Sequence, residues 1–250
     1  MNTFNTTKKH ISGLIILLTS VLLTTAFTQD DNFESLFNGT DLSGWVVPEG
    51  DNGHWKVIDG VIDYDALSEA PGDKNLWSEK EYQDFELRMD WRIKDTPYIN
   101  KNVRIVRPDG THQLDADGND ILIAAPDSDS GVYVRGTSKA QINIWNWPVG
   151  SGEVYGYRND SSMPDGIAAG VTPSKFADNH VGEWNTFVIT MVGDRLTVEL
   201  NGETVLDKAQ LPGVPESGPI ALQHHGSMAD GEWVSPPSLV QFKDISIREL

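Results

Sequence analysis

The residues of this chain best equipped for chemistry lie in two short runs of alternating character. In Gly218-Pro-Ile-Ala-Leu-Gln-His-His-Gly226, an extended backbone puts Ile220, Leu222 and His224 on one face and Ala221, Gln223 and His225 on the other. Adjacent histidines on a strand cannot both enter one cleft. The apolar companions assign His224 to the core, which leaves His225, beside Gln223, as the better general base near neutral pH. In Gln141-Ile-Asn-Ile-Trp-Asn146, Ile142 and Ile144 face the core and leave Gln141, Asn143 and Trp145 side by side on the opposite surface. Amides beside an indole suit a sugar, whose hydroxyls take bidentate hydrogen bonds while its C–H faces pack on the aromatic plane. The plainer alternative is a solvated sheet face with a stray tryptophan.

Further candidates surround these runs. Ser130-Gly-Val-Tyr-Val-Arg-Gly136 places Val132 and Val134 on one face and Tyr133 and Arg135 on the other. Asp90 shares a face with Arg88 and Arg92, and Glu153 follows Gly150-Ser-Gly152 in a loop leaving the Gln141 strand. Either carboxylate can pair with an arginine for structure alone, and a glycosidase-type carboxylate pair is the functional alternative. Asp115, Asp117 and Asn119 alternate like the start of a calcium loop, but the glycine is Gly118 and the twelfth position is Pro126 rather than Glu. A plain turn accounts for them. His54, His112 and His180 stand alone in turn-rich surroundings, where a surface role is the default.

Strands must hold these groups in place. Phe85, Leu87, Met89, Trp91 and Ile93 alternate with Asp84, Glu86, Arg88, Asp90 and Arg92, a period of two that sorts apolar from polar groups only in an extended chain. Trp55–Ile58 and Val61–Tyr64 flank Asp59-Gly60, and Trp184–Val192, Arg195–Leu200 and Glu203–Leu206 are separated by Gly193-Asp194 and Asn201-Gly202. Such dipeptides are hairpin turns. With Gly218–His225, Val240–Arg248, Ser130–Gly136 and Gln141–Trp147, about ten strands and no convincing amphipathic helix predict an all-β fold. The expectation is a two-sheet antiparallel β-sandwich of jelly-roll type. Long loops over Asp95–Asp129 and Pro148–His180 should project over one sheet.

Composition narrows the field. Thirty-seven acidic against nineteen basic side chains, a net charge of −18, would repel a nucleic acid. The absence of cysteine removes disulfides, thiolate metal sites and cysteine nucleophiles. There is no Gly-x-Ser-x-Gly elbow, His-Glu-x-x-His pair or phosphate loop, so esterase, zinc-protease and nucleotide-cofactor readings lack support. Lys8, Lys9 and His10 precede an apolar run, Ile11–Leu23, and then Thr24-Thr25-Ala26. That order reads as a signal peptide over residues 1–26, with a run too short for a dependable membrane span, and predicts a periplasmic or secreted domain over residues 27–250 with no stable membrane insertion.

Six segments, Leu36–Trp45, Asp84–Ile93, Ser130–Gly136, Gly182–Asn185, Gly218–Gly226 and Phe242–Leu250, together resemble the 3-keto-disaccharide hydrolase domain family, in order and across essentially the whole chain after the leader. The resemblance implies a concanavalin-like jelly roll acting as a 3-keto-glucoside 1,2-lyase or 3-keto-2-hydroxyglucal hydratase on a small saccharide or glycoside. A ketone at C3 acidifies the C2 proton. A base removes that proton, the enolate expels the C1 substituent, and water adds later to the enone. On this reading His225, Arg135 and Glu153 carry the chemistry, with His225 as base and Arg135 as enolate or hydroxyl anchor. Asp90, Tyr133, Gln141, Asn143, Trp145 and Gln223 hold the sugar. Spacing assigns no metal ligands, and a divalent ion stays open as the enolate stabiliser. Many relatives carry acids where this chain has Ala140 and Asn146; if either acid is catalytic there, activity here uses another group, and the Asp95–Asp129 insertion could supply a ligand or act as a lid. A non-catalytic, lectin-like carbohydrate-binding module is the second expectation.

Overall fold

The computed structural model describes Met1 and residues 32–250. The leader expected over residues 1–26 lies, Met1 apart, outside the described residues. In chain order the strands begin with β1 (Glu34–Ser35), β2 (Trp45–Val46), β3 (Trp55–Ile58), β4 (Val61–Tyr64), β5 (Leu76–Tyr82) and β6 (Phe85–Ile93). There follow β7 (Tyr98–Arg104), β8 (Leu122–Asp127), β9 (Asp129–Val134) and β10 (Thr137–Trp145), then the short helices α1 (Tyr155–Arg158) and α2 (Ile167–Gly170). The chain closes with β11 (Asn185–Val192), β12 (Arg195–Leu200), β13 (Glu203–Gln210), β14 (Gly218–Leu222), β15 (Ser227–Ala229), β16 (Glu232–Ser235) and β17 (Val240–Glu249).

Two antiparallel sheets form the sandwich. The larger is ordered β13-β12-β11-β6-β17-β4-β3 with β1 beside β17, and the smaller β10-β9-β14-β5-β2. Period-two alternation dictates how they meet. Along β6, Phe85, Leu87, Met89, Trp91 and Ile93 are buried while the residues between them are partly exposed. Val132, Val134, Ile142, Ile144, Ile220 and Leu222 of the smaller sheet are buried in the same core. Each such side chain contributes about 1.5–3 kcal/mol by leaving water. The polar face of the smaller sheet is thereby turned outward.

Tight turns set the registers. Asp59-Gly60 and Asn201-Gly202 both adopt left-handed φ at their two positions, 51° with 77° and 53° with 80°, the geometry of a two-residue hairpin loop. Arg135-Gly136 does the same, at 52° and 70°, and closes β9 onto β10 through the Val134–Thr137 pair. The strand expected over Ser130–Gly136 therefore ends at Val134.

The two expected loops are more structured than their Gly, Pro, Asp and Asn content suggests. Residues 95–129 form the hairpin β7–β8, extended by bridges Val106–His112 and Leu114–Asp120. Pro126 is tolerated because this sheet has only two strands and one edge of each needs no ladder donor. Residues 148–180 carry α1 and α2, each four residues long. No described helix is long and apolar enough to cross a membrane.

Candidate functional site

Cross-strand register gathers the outward side chains of the smaller sheet. Gln141 pairs with Tyr133, Asn143 with Gly131 and Trp145 with Asp129, while Tyr133 also stands beside Ala221 of β14. Paired residues share a face. At its centre is a glycine. A Cβ on Gly131 would come within 2.8 Å of Gln141 Cγ and Nε2 and 2.7 Å of the Ile142 carbonyl oxygen, so only a bare backbone lets the Gln141 side chain lie across β9.

Over this face is a hollow of about 250 Å³ lined by Asn100, Asp127, Asp129, Gln141, Asn143, Trp145, Trp147, Tyr155, His225 and Pro236. That is below the roughly 300–1,000 Å³ of drug-sized pockets and of the scale of one sugar ring. Trp145 and Trp147 stack with centroids 4.4 Å apart and planes within 1°, and Tyr155 meets Trp145 edge-on at 6.1 Å. The Trp145 indole N–H donates to the Gly150 carbonyl at 2.8 Å, and the Trp147 N–H to Asp127 at 3.1 Å. Fixed rings form one wall. Gln141 Nε2 donates to Gln223 Oε1 at 2.6 Å, so Gln223 orients the amide that reaches the hollow.

His225 occupies the opposite wall. Its Nδ1 lies 2.6 Å from the Pro236 carbonyl oxygen. A carbonyl only accepts, so in the neutral ring the proton sits on Nδ1 and Nε2 keeps its lone pair. Nε2 is 3.8 Å from Asp129 Oδ2. Burial pushes the Asp129 carboxyl well above the usual carboxylate range, opposed by His225 and reinforced by the charge of Asp127. Asp127 is raised by burial as well, although Asn100 and Trp147 hydrogen-bond it. Oδ1 of each aspartate finds no hydrogen-bond partner among the described residues. Buried oxygens without donors disfavour the ionised form, in line with the upward shift of both carboxyls. His224 turns the other way. Its Nδ1 is 2.6 Å from the Tyr64 hydroxyl, and burial pushes its imidazole down to about 4.

Three of the expected site residues lie elsewhere. Arg135 sits in the β9–β10 turn rather than on the sheet face, and its buried guanidinium donates to the carbonyls of Gln83, Gly193 and Pro215 and to Asp84 at 2.6–3.0 Å. Those bonds make it a structural clamp and not an enolate anchor. Glu153 is fully buried and pairs with Arg158, outside the lining of the hollow. Asp90 is on the outward face of β6, accepting from Thr186 at 2.6 Å with Lys243 at 3.3 Å, across the sandwich from the cleft. Tyr133 shares the cleft's face one strand position away, packed at 5.8 Å from Trp77, with its hydroxyl pushed up to about 12 by burial. His225, Gln141, Asn143 and Trp145 do converge, with Gln223 behind Gln141.

The sequence reading passed over Asn100, Asp127, Asp129, Trp147 and Tyr155. Asp129 was accessible by carrying the Tyr133–Gly131 alternation two residues further back. Asn100 and Asp127 come from the hairpin inside the segment taken for a loop. Among the described residues no group of three or more His, Asp or Glu side chains is placed to hold a metal ion.

The sequence matches the family model described as the 3-keto-alpha-glucoside-1,2-lyase-like domain over residues 32–248. The chain belongs to this family. Membership makes its function carbohydrate-related. The fold of this 3-keto-α-glucoside-1,2-lyase-like chain is shared with solved structures from Parabacteroides distasonis, provisionally named as glycosyl hydrolases. One is 19% identical, with a TM-score of 0.54 over 88% of this chain and 84% of that one. Another is also 19% identical, with a TM-score of 0.52 over 88% and 94%. Identities this low show the fold alone. A comparison with curated proteins found no match.

Proposed function

We propose that the chain is an exported enzyme that cleaves 3-keto-glycosides by abstracting the C2 proton and eliminating the C1 substituent, with later hydration of the enone. One observation carries this reading: His225, its Nδ1 proton tied to the Pro236 carbonyl at 2.6 Å, presents a basic Nε2 to a sugar-sized hollow lined with amides and indoles. Proton removal at C2 asks for one positioned base and not for the carboxylate pair of oxocarbenium chemistry. Nε2 takes the proton, the C2–H electrons form the enolate on the C3 oxygen, and their return makes the C1–C2 double bond as the C1–O bond breaks. The departing oxygen takes up a proton.

With Arg135 engaged elsewhere, stabilisation of the enolate oxygen falls to donors in the hollow: the Asn143 amide, the Tyr155 hydroxyl and Asp129 in its protonated form. Burial favours that neutral form of Asp129. The stacked Trp145 and Trp147 offer a platform for the sugar's C–H face. The leader-like order of residues 1–26 supports export to the periplasm or beyond.

Incubation with a 3-keto-glucoside tests the proposal, with enone absorbance and free aglycone as readouts. Turnover that His225→Ala abolishes supports it. The withdrawal of Glu153 into a buried pair with Arg158 favours, as a second reading, a lectin-like module. That reading requires sugar binding with no turnover.

A further inference from the structure

His225 and Ser238 close a loop that carries the short hairpin β15–β16. Ser238 closes it with both backbone and side chain. Its backbone N–H donates to the His225 carbonyl at 2.9 Å, and its hydroxyl donates to the same carbonyl at 3.0 Å while accepting from the His225 N–H at 2.9 Å. The hydroxyl thus takes the place that a backbone carbonyl has in an ordinary antiparallel pair. Ser128, between β8 and β9, holds the same segment from the side of the smaller sheet. Its hydroxyl donates to the Pro237 carbonyl at 2.6 Å and its N–H to Asn146 Oδ1 at 3.0 Å. Both serines are fully buried.

Between these two clamps lies the Pro236 carbonyl, the partner of His225 Nδ1 at 2.6 Å. The prolines prepare it. Each ring fixes its own φ at about −65°, and Pro237 confines Pro236 before it to an extended conformation, so the carbonyl keeps little freedom once Ser128 and Ser238 hold its neighbours. Gly226 lets the chain leaving His225 run against this strap, since a Cβ there would come within 2.9 Å of Pro237 Cα. A carbonyl so fixed accepts from one ring nitrogen and keeps the proton off the other.

We infer that Ser238 and Ser128 are positioning residues for His225, their hydroxyls pinning the Pro236-Pro237 strap so that the imidazole keeps its proton on Nδ1 and a bare Nε2 on the side of Asp129. Neither serine lines the sugar-sized hollow, so both act through the ring and not on a ligand. A neutral imidazole freed from such an acceptor exchanges its proton between the two nitrogens, and a ring in the wrong tautomer cannot take a proton through Nε2. The catalytic consequence rests on the proposed function, whereas the state of the ring does not.

Nitrogen NMR of the histidine rings in the full chain at about pH 8, where a free imidazole is neutral, tests the assignment, with the His225 signals identified by their loss in His225→Ala. In wild type Nδ1 is expected to be protonated and Nε2 bare. In Ser238→Ala the two nitrogens should move toward a shared, averaged state, while kcat for a 3-keto-glucoside falls about tenfold and KM stays within about twofold. Ser128→Ala loosens the strap from its other side and carries the same comparison if Ser238→Ala does not fold. A wild-type ring with its proton on Nε2, or a ring unchanged by loss of the hydroxyl in a folded variant, overturns the assignment. The two readings fail separately. A ring that shifts in Ser238→Ala, with no turnover by wild type, removes the enzyme and spares the clamp, and turnover that depends on His225 with an unchanged ring does the reverse.

Discussion

His225 Nε2 and Asp129 Oδ2 face each other across 3.8 Å in the lining of a sugar-sized cleft. The pair couples a ring nitrogen with a free lone pair to a carboxyl group that burial inclines toward its neutral form. One partner can accept a proton while the other holds one. Replacing His225 by Ala should lower kcat for a 3-keto-glucoside by about 10²–10⁴-fold, the usual contribution of a positioned general base, with the melting temperature little changed because the side chain lies at the cleft wall.

Asp129→Asn should be milder in rate and visible in the pH profile. The wild-type rate is expected to show an ionisation above the ordinary carboxylate range, because burial raises the Asp129 carboxyl. The amide cannot ionise. Loss of that limb in the variant supports the assignment, and an unchanged profile removes Asp129 from the ionisations that matter.

Gly131 makes room for the Gln141 side chain. Gly131→Ala would drive a methyl group to within 3 Å of the Gln141 side chain and the Ile142 carbonyl, so Gln141 must leave its place beside Gln223. KM for the sugar is expected to rise about tenfold or more, as the hydrogen bonds of one oriented amide are lost. Steady-state kinetics on the folded variant reads this directly.

Arg135 ties Gln83, Gly193, Pro215 and Asp84 together from a buried position. Arg135→Ala strips a donor from three carbonyls and should cost about 3–5 kcal/mol of stability, as breaking other buried charged networks does. Chemical denaturation measures the loss. The turnover number per folded molecule should stay near wild type, which an enolate anchor would not allow.

The buried Glu153–Arg158 pair makes stability depend on pH. Burial pushes Glu153 up to about 7, against the attraction of Arg158. A carboxyl raised in the folded state binds its proton more tightly there than in the unfolded chain. Its stabilising contribution is therefore complete below the unfolded value near 4.5 and is lost as pH rises to about 7. Glu153→Gln should flatten that decline in denaturation curves collected from pH 4 to 8. Arg158 Nη1 also donates to His112 Nε2 at 2.9 Å, in the arm between β7 and β8.

The sandwich was legible because hydrophobic alternation is local. Five apolar residues in β6 alternate with polar ones, and Asp-Gly and Asn-Gly mark their turns without reference to distant parts of the chain. The face carrying Gln141, Asn143, Trp145 and His225 follows from the same period. Arg135 was misplaced because Arg-Gly is not a usual turn dipeptide, so the strand seemed to run two residues too far. Glu153 and Asp90 have partners, Arg158, Thr186 and Lys243, that only the tertiary fold brings near. Asn100 and Asp127 reach the cleft through a hairpin whose strands lack a period-two pattern: Leu122–Asp127 is an unbroken apolar run ending in Pro126-Asp127, and Tyr98–Arg104 mixes polar and apolar residues without alternation.

A 3-keto-glucoside deuterated at C2 tests the central claim most directly. If His225 starts the reaction by removing that hydrogen, aglycone release by the wild-type chain will wash the deuterium into solvent, and His225→Ala will abolish both events together. Aglycone released with the deuterium still at C2 would contradict the account, because the glycosidic bond would then have broken without the enolate.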